Sequence, residues 1–254
     1  MGGTVHEGVL TRIRPVPHSR FRLFLLHHAG GSPQGYRAWV RHFPADWDVC
    51  LVEAPGRGRS SDSAPFTDAR DLARHLCDRL QPYLDRPYGL FGHSMGALVG
   101  YEMALRLAEG PAPSWLGVSA WSPAPGVEWD RPRHRLTDER LRASVARMGG
   151  TPASVLDDHD RWRDAEPLVR ADLAVVDTWR PEPGTPLLRH PVTVLGGEDD
   201  RGMPPSRLAA WHGRTEGPVR THILPGGHFY FVGRLREVAA RVTEDVRAAE
   251  PVSV

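Results

Sequence analysis

The chain contains no lysine and no asparagine, and its only isoleucines are Ile13 and Ile223. All 32 basic side chains are therefore arginine. These absences exclude chemistry. A Walker-type phosphate loop requires a Gly-Lys-Ser/Thr step. Lysine Schiff bases and Ser-x-x-Lys nucleophile pairs are also impossible. Without asparagine there is no Asn-Gly hairpin turn, no N-glycosylation acceptor and no Cys-His-Asn triad. The bias itself reads as codon usage, since the missing residues use AT-rich codons and the abundant Arg, Ala, Gly and Pro use GC-rich ones.

A surplus of either charge sign is also missing. The 32 arginines face 31 acids, for a net charge of +1. Nucleic-acid-binding domains usually have a pI above ~9 and a basic stripe; here the pI is about 8.0 and the signs are interspersed, which argues against that class. Two cysteines, Cys50 and Cys77, make no disulfide framework and read as small buried hydrophobes. No apolar run approaches the ~20 residues of a membrane span. The N-terminal stretch lacks an apolar segment followed by a small-residue cleavage site. The expectation is a cytoplasmic protein with no membrane partner, acting as a monomer.

What is present is an alternation of short apolar runs with longer amphipathic stretches. Strands are predicted at 21–26, 47–52, 88–91, 116–121, 192–195 and 219–224. Helices are predicted at 68–84, 97–107 and 234–249, from apolar residues at helical spacing. Such alternation implies a mostly parallel sheet with helices on both faces, in one domain of 1–254. One connection is anomalous. About 70 residues separate Trp121 from Val192, whereas a crossover with its helix can need only ~10–12. The stretch 123–187 is expected to be a helical lid, with helices at 138–148 and 164–179.

Gly92-His93-Ser94-Met95-Gly96 fits G-x-S-x-G, and it stands between a predicted strand and a predicted helix. The turn is too tight for side chains beside the serine, and the helix N-terminus offers free N–H groups to an oxyanion. Ser94 is thus the candidate nucleophile. His93 is read as structural. A serine hydroxyl needs a base, and on this architecture the chain order is Ser, acid, His. His228 follows the last strand in Pro225-Gly226-Gly227-His228-Phe229; His222, inside that strand, is the weaker candidate. The acid belongs after 192–195, in Gly196-Gly197-Glu198-Asp199-Asp200. Spacing from Gly197 selects Asp200, and spacing from Gly196 selects Asp199; Asp200 is preferred. Ala120-Trp121-Ser122-Pro123 offers no relocated acid.

The oxyanion hole is assigned to the N–H groups of Met95 and Ala29, with Gly30 as the alternative on the same loop. No metal and no cofactor is expected. His27 and His28 are strand neighbours pointing to opposite faces, and Asp157-Asp158-His159-Asp160 reads as a solvated turn.

Taken together, these segments make the chain resemble the type II thioesterases of polyketide and nonribosomal-peptide assembly lines, members of the α/β-hydrolase superfamily. The resemblance runs from Phe21 to the final helix. Besides the serine and histidine segments, it rests on His28-Ala29-Gly30-Gly31-Ser32, Pro55-Gly56-Arg57-Gly58, Met148-Gly149-Gly150-Thr151-Pro152 and Leu168-Val169-Arg170-Ala171-Asp172. Two departures stand out. Ser122-Pro123-Ala124-Pro125 lacks the arginine pair relatives often carry before Ala-Pro, and Trp179 replaces an expected tyrosine. The resemblance implies an editing thioesterase that hydrolyses acyl groups from the phosphopantetheine arm of a carrier protein. Carrier proteins are typically acidic, so Arg131, Arg133 and Arg135, or Arg201 and Arg207, are expected to form a basic docking face. The competing readings are a small-molecule esterase, a non-catalytic binding protein and an acyl transferase or cyclase.

Overall fold

The computed structural model describes residues 3–124 and 132–249. The strands are β1 (Val5–Glu7), β2 (Leu10–Arg12), β3 (Phe21–Leu26), β4 (Trp47–Val52), β5 (Tyr88–His93), β6 (Trp115–Ser119), β7 (Val192–Gly197) and β8 (Val219–Leu224). The helices are α1 (Ala69–Leu80), α2 (Met95–Arg106), α3 (Asp138–Met148), α4 (Ala153–Leu156), α5 (His159–Thr178), α6 (Pro205–Leu208) and α7 (Leu235–Ala249). The sheet order is β1-β2-β4-β3-β5-β6-β7-β8. From β4 to β8 every pairing is parallel, while β1 and β2 form an antiparallel edge. This is the α/β-hydrolase arrangement the sequence implies.

Strand alternation divides the core. Phe24 and Leu26 of β3 point to one side, where Leu72 and Leu76 of α1 and Met103 of α2 cover them. Phe21, Leu23 and Leu25 point to the other, against Trp39, Val238 and Val242. Trp39 lies on a ten-residue 3₁₀ segment, Pro33–His42. Neither this segment nor the β1–β2 hairpin is foreseen in the sequence. Cys50 and Cys77 are free and buried, and burial pushes the Cys77 thiol up to about 12.

Element boundaries shift where backbone chemistry decides them. Helix α1 begins after Asp68, whose carboxylate accepts from Arg70 N–H at 2.8 Å and Asp71 N–H at 3.0 Å. Helix α5 begins at His159 rather than 164, because Asp158 caps it in the same way. The acidic run at 157–160 is therefore a helix start, and no group of residues able to hold a metal occurs among the described residues. No helix among them is long and apolar enough to cross a membrane.

Helices α3, α4 and α5 fall between β6 and β7 and share a small core of their own, including Leu141, Val145, Trp162, Val169 and Leu173. Trp179, one of the two departures, anchors this insertion to the body. Its indole N–H donates to Glu102 of α2, and its ring meets Trp121 edge-on at 5.2 Å. The other departure lies partly outside the described residues, which omit Pro125.

Candidate active site

The serine turn is dictated by sterics. Ser94 has φ 55° and ψ −115°, a strained conformation for a residue with a Cβ. A Cβ on Gly92 would lie 2.0 Å from the Gly96 carbonyl oxygen, and one on Gly96 would lie 2.3 Å from that of Leu26. Only glycine fits at either position. Helix α2 starts directly at Met95, two residues before the predicted start, so the Met95 N–H is a free helix-terminal donor.

His228 and Asp200 meet as expected. His228 Nδ1 lies 2.7 Å from Asp200 Oδ2. The other carboxylate oxygen accepts from Gly202 N–H at 3.0 Å and Met203 N–H at 3.1 Å. Burial alone would raise the Asp200 pKa, but the hydrogen bonds and charge of His228 and the two N–H groups reverse this and leave it below the usual value. Asp200 is thus a carboxylate, His228 Nδ1 carries the proton, and Nε2 is left as the acceptor. Asp199 is exposed and does not reach the histidine. His222 is elsewhere: its Nε2 pairs with Asp245 of α7 at 2.7 Å.

Ser94 and His228 together line two cavities. One is a narrow cleft of about 30 Å³ under the insertion, walled by Val145, Met148, Val169, Leu173, Val176 and Phe229. The other is a chamber of about 570 Å³ bordered by Trp121, Arg133, Arg147, Asp199, Arg201 and Met203. Ser94 Oγ makes no hydrogen bond among the described residues. Such contacts are often loose before substrate binds.

Of the two candidate loop donors, one already has a partner within the protein. Gly30 N–H is already engaged, donating to Asp172 Oδ2 at 2.7 Å. Asp172 lies in α5 and is 1% exposed. Arg57 holds it with two bonds of 2.7 Å, one to each oxygen.

His93 is structural, as read. It is fully buried and bonded through Nδ1 to Ser119 Oγ at 2.8 Å, which in turn meets the Tyr230 hydroxyl at 2.7 Å. Burial, and then the nearby His228 and His28, hold it well below the usual histidine range, so it stays neutral. His28 is lowered for the same first reason.

A family model described as the thioesterase domain matches residues 21–246. Among named proteins, the gramicidin S biosynthesis protein GrsT of Aneurinibacillus migulanus is 30% identical, over 84% of this chain and 83% of its own length. Thioesterase PikA5 of Streptomyces venezuelae is 30% identical, over 92% and 84% respectively. The chain belongs to the thioesterase family. A solved structure agrees: the type II thioesterase BorB of the borrelidin biosynthetic cluster superposes with a TM-score of 0.88 at 32% identity, covering 96% of this chain and all of that one. This thioesterase is accordingly a hydrolase that acts on thioester bonds.

Sequence reasoning missed the Arg57–Asp172 pair, although both residues sit in segments it singled out. A signal existed. Val169, Asp172, Leu173 and Val176 fall at helical spacing on one apolar stripe, and a carboxylate there requires a buried partner. The arginine lies 115 positions away, which no local pattern reveals.

Proposed function

We propose that this thioesterase hydrolyses acyl groups from the phosphopantetheine arm of a carrier protein, as an editing enzyme of a polyketide or nonribosomal-peptide synthase. One observation carries the reading. Ser94 and His228 stand where a narrow cleft meets a chamber of about 570 Å³, walled by Trp121, Val176 and Met203 and rimmed by Arg147 and Arg201. The chamber has room for an acyl group and the end of the arm that carries it, whereas the cleft admits little more than water. The insertion, 123–187, acts as the lid over both within the single domain 1–254.

In this mechanism His228 Nε2 takes the Ser94 proton as Oγ attacks the thioester carbonyl. The N–H groups of Ala29 and Met95 receive the developing oxyanion, and each such donor contributes roughly 3–4 kcal/mol to transition-state stabilisation. The tetrahedral intermediate collapses to acyl-Ser94 and expels the thiolate, which takes up the proton. Water then attacks the ester, again through His228, and releases the free acid. Asp200 fixes the tautomer of His228 and stabilises its charged form.

The arginines read as a carrier-protein docking face differ in their surroundings. Arg131 lies outside the described residues. Arg133 turns inward, its Nε and Nη2 donating to Asp177 Oδ1 at 2.9 and 2.6 Å. Arg135 and Arg201 remain exposed and are the better docking candidates. The site of action is the cytoplasm, where such synthases work.

The test compares kcat/KM for acyl-phosphopantetheinyl carrier proteins with that for p-nitrophenyl esters, and identifies the product. Preference for the carrier-bound thioester, with release of free acid, supports the reading. Strong preference for simple esters, or an ester or macrocyclic product, overturns it.

A further inference from the structure

We infer that Asp172, clamped by Arg57, is a positioning residue that sets the oxyanion hole from within the insertion. The inference rests on the reading of Ser94 as nucleophile and Ala29 N–H as oxyanion donor.

The loop that carries Ala29 is a tight turn. Gly31 N–H donates to His28 C=O at 2.9 Å, which places Ala29 and Gly30 at its centre. Gly30 has φ +70°, and a Cβ there would press on Val169 at 3.0 Å. Positive φ at the third residue is the mark of a type II turn. Type I and type II turns differ by a flip of the central peptide, here the one joining Ala29 to Gly30. The N–H of that peptide is the one Asp172 grips, at 2.7 Å. In the flipped turn a carbonyl oxygen would face the carboxylate instead, and like partial charges would repel. Asp172 therefore selects one of two states of the central peptide; the Ala29 N–H belongs to the preceding peptide, and its place follows from the turn as a whole being pinned at Gly30 N–H and Gly31 C=O.

Arg57 completes the clamp from the other side. Besides its two bonds to Asp172, Nη1 donates to Gly31 C=O at 3.0 Å and Nε to Ala54 C=O at 3.0 Å. The turn is thus held at the N–H of one glycine and the carbonyl of the next. Both charged side chains are nearly enclosed, with Arg57 5% and Asp172 1% exposed, so water weakens the clamp little. Because Asp172 belongs to α5, the oxyanion loop is tied to the insertion that also walls the cleft beside Ser94. Displacing α5 releases the grip on the turn.

The test uses Asp172→Asn and Arg57→Lys, which keep volume while weakening the clamp, with a small acyl thioester as substrate. The expected result is a fall in kcat of roughly 10–100-fold, the scale of a misplaced catalytic group, with KM nearly unchanged. A boronic acid that adds to Ser94 mimics the oxyanion, and its affinity should fall by the same factor. A product carboxylate should bind as before. The double variant should lose little more than either single one, because the two residues act as a unit. A purely structural role would lower the melting temperature yet leave kcat and boronate affinity intact in the folded variants; that result overturns the inference alone. If hydrolysis survives Ser94→Ala in the otherwise unaltered enzyme, the reading of Ser94 fails, and this inference fails with it.

Discussion

His228 Nδ1 lies 2.7 Å from Asp200 Oδ2, while the carboxylate of the preceding Asp199 is exposed to solvent. Two adjacent, chemically identical residues are thus separated by geometry. Asp200→Asn should lower kcat by about 10⁴, because the amide favours the wrong tautomer of His228. Asp199→Asn should stay close to the unmodified enzyme. Steady-state kinetics on one acyl thioester checks both; a larger loss from the Asp199 change would reassign the acid.

The glycines of α2 should respond in opposite directions. Gly96→Ala places a Cβ 2.3 Å from a backbone oxygen of β3 and should destabilise the fold by more than about 3 kcal/mol, as expected for an unrelieved clash in a packed core. Gly100→Ala meets only ordinary contacts, 3.6 and 3.7 Å from Leu26 and Leu116. It should stabilise by about 0.5–1 kcal/mol, through reduced freedom of the unfolded chain. Urea denaturation measures both, and a shared sign would contradict the account.

The match between sequence and structure follows the range of the physics involved. The serine turn is legible because its glycines answer to steric limits within five residues. The acid and base loops are legible because strand ends place them by rule. The β1–β2 edge is not legible, since three-residue strands carry too little periodicity to register. The segment 33–42 fails for a related reason: its 3₁₀ turns do not follow the helical period. The sequence favours Ala29 over Gly30 as the loop donor but does not show that Gly30 N–H has a partner, because that partner, Asp172, is 142 positions away. Distant pairs of this kind fix details of the site that local patterns leave open.

Trp179 should hold the insertion in place. Burial raises the Glu102 pKa, and the Trp179 indole N–H, followed by the Arg70 charge, works against that shift. Trp179→Phe removes the donor and leaves a buried carboxyl under-satisfied, at about 1–3 kcal/mol. Amide hydrogen exchange in α5 should accelerate, with little change in the strands. Unchanged exchange in α5 would show that the contact does not anchor the helix.

Mild acid should destabilise the protein before its carboxylates titrate. Burial holds His190 down at about 4, and His27 and His93 well below their usual value. Each folded-state pKa is lower than the unfolded one, so the unfolded chain binds more protons below about pH 6.5. Stability is full above that pH and declines as pH falls toward 4. His190 accounts for up to about 3 kcal/mol of the loss at its lower limit. His190→Gln should flatten the dependence of the urea midpoint between pH 6.5 and 4; an unaltered slope would remove His190 from the account.

The covalent intermediate gives the most direct measurement. An acyl-phosphopantetheinyl carrier protein is mixed with the enzyme, quenched within one turnover and analysed by intact-mass and peptide-mapping mass spectrometry. The account predicts an added acyl mass on the peptide containing Ser94, formed and lost at rates that match kcat, and absent from Ser94→Ala. Hydrolysis that proceeds with no such adduct and persists in Ser94→Ala would contradict it.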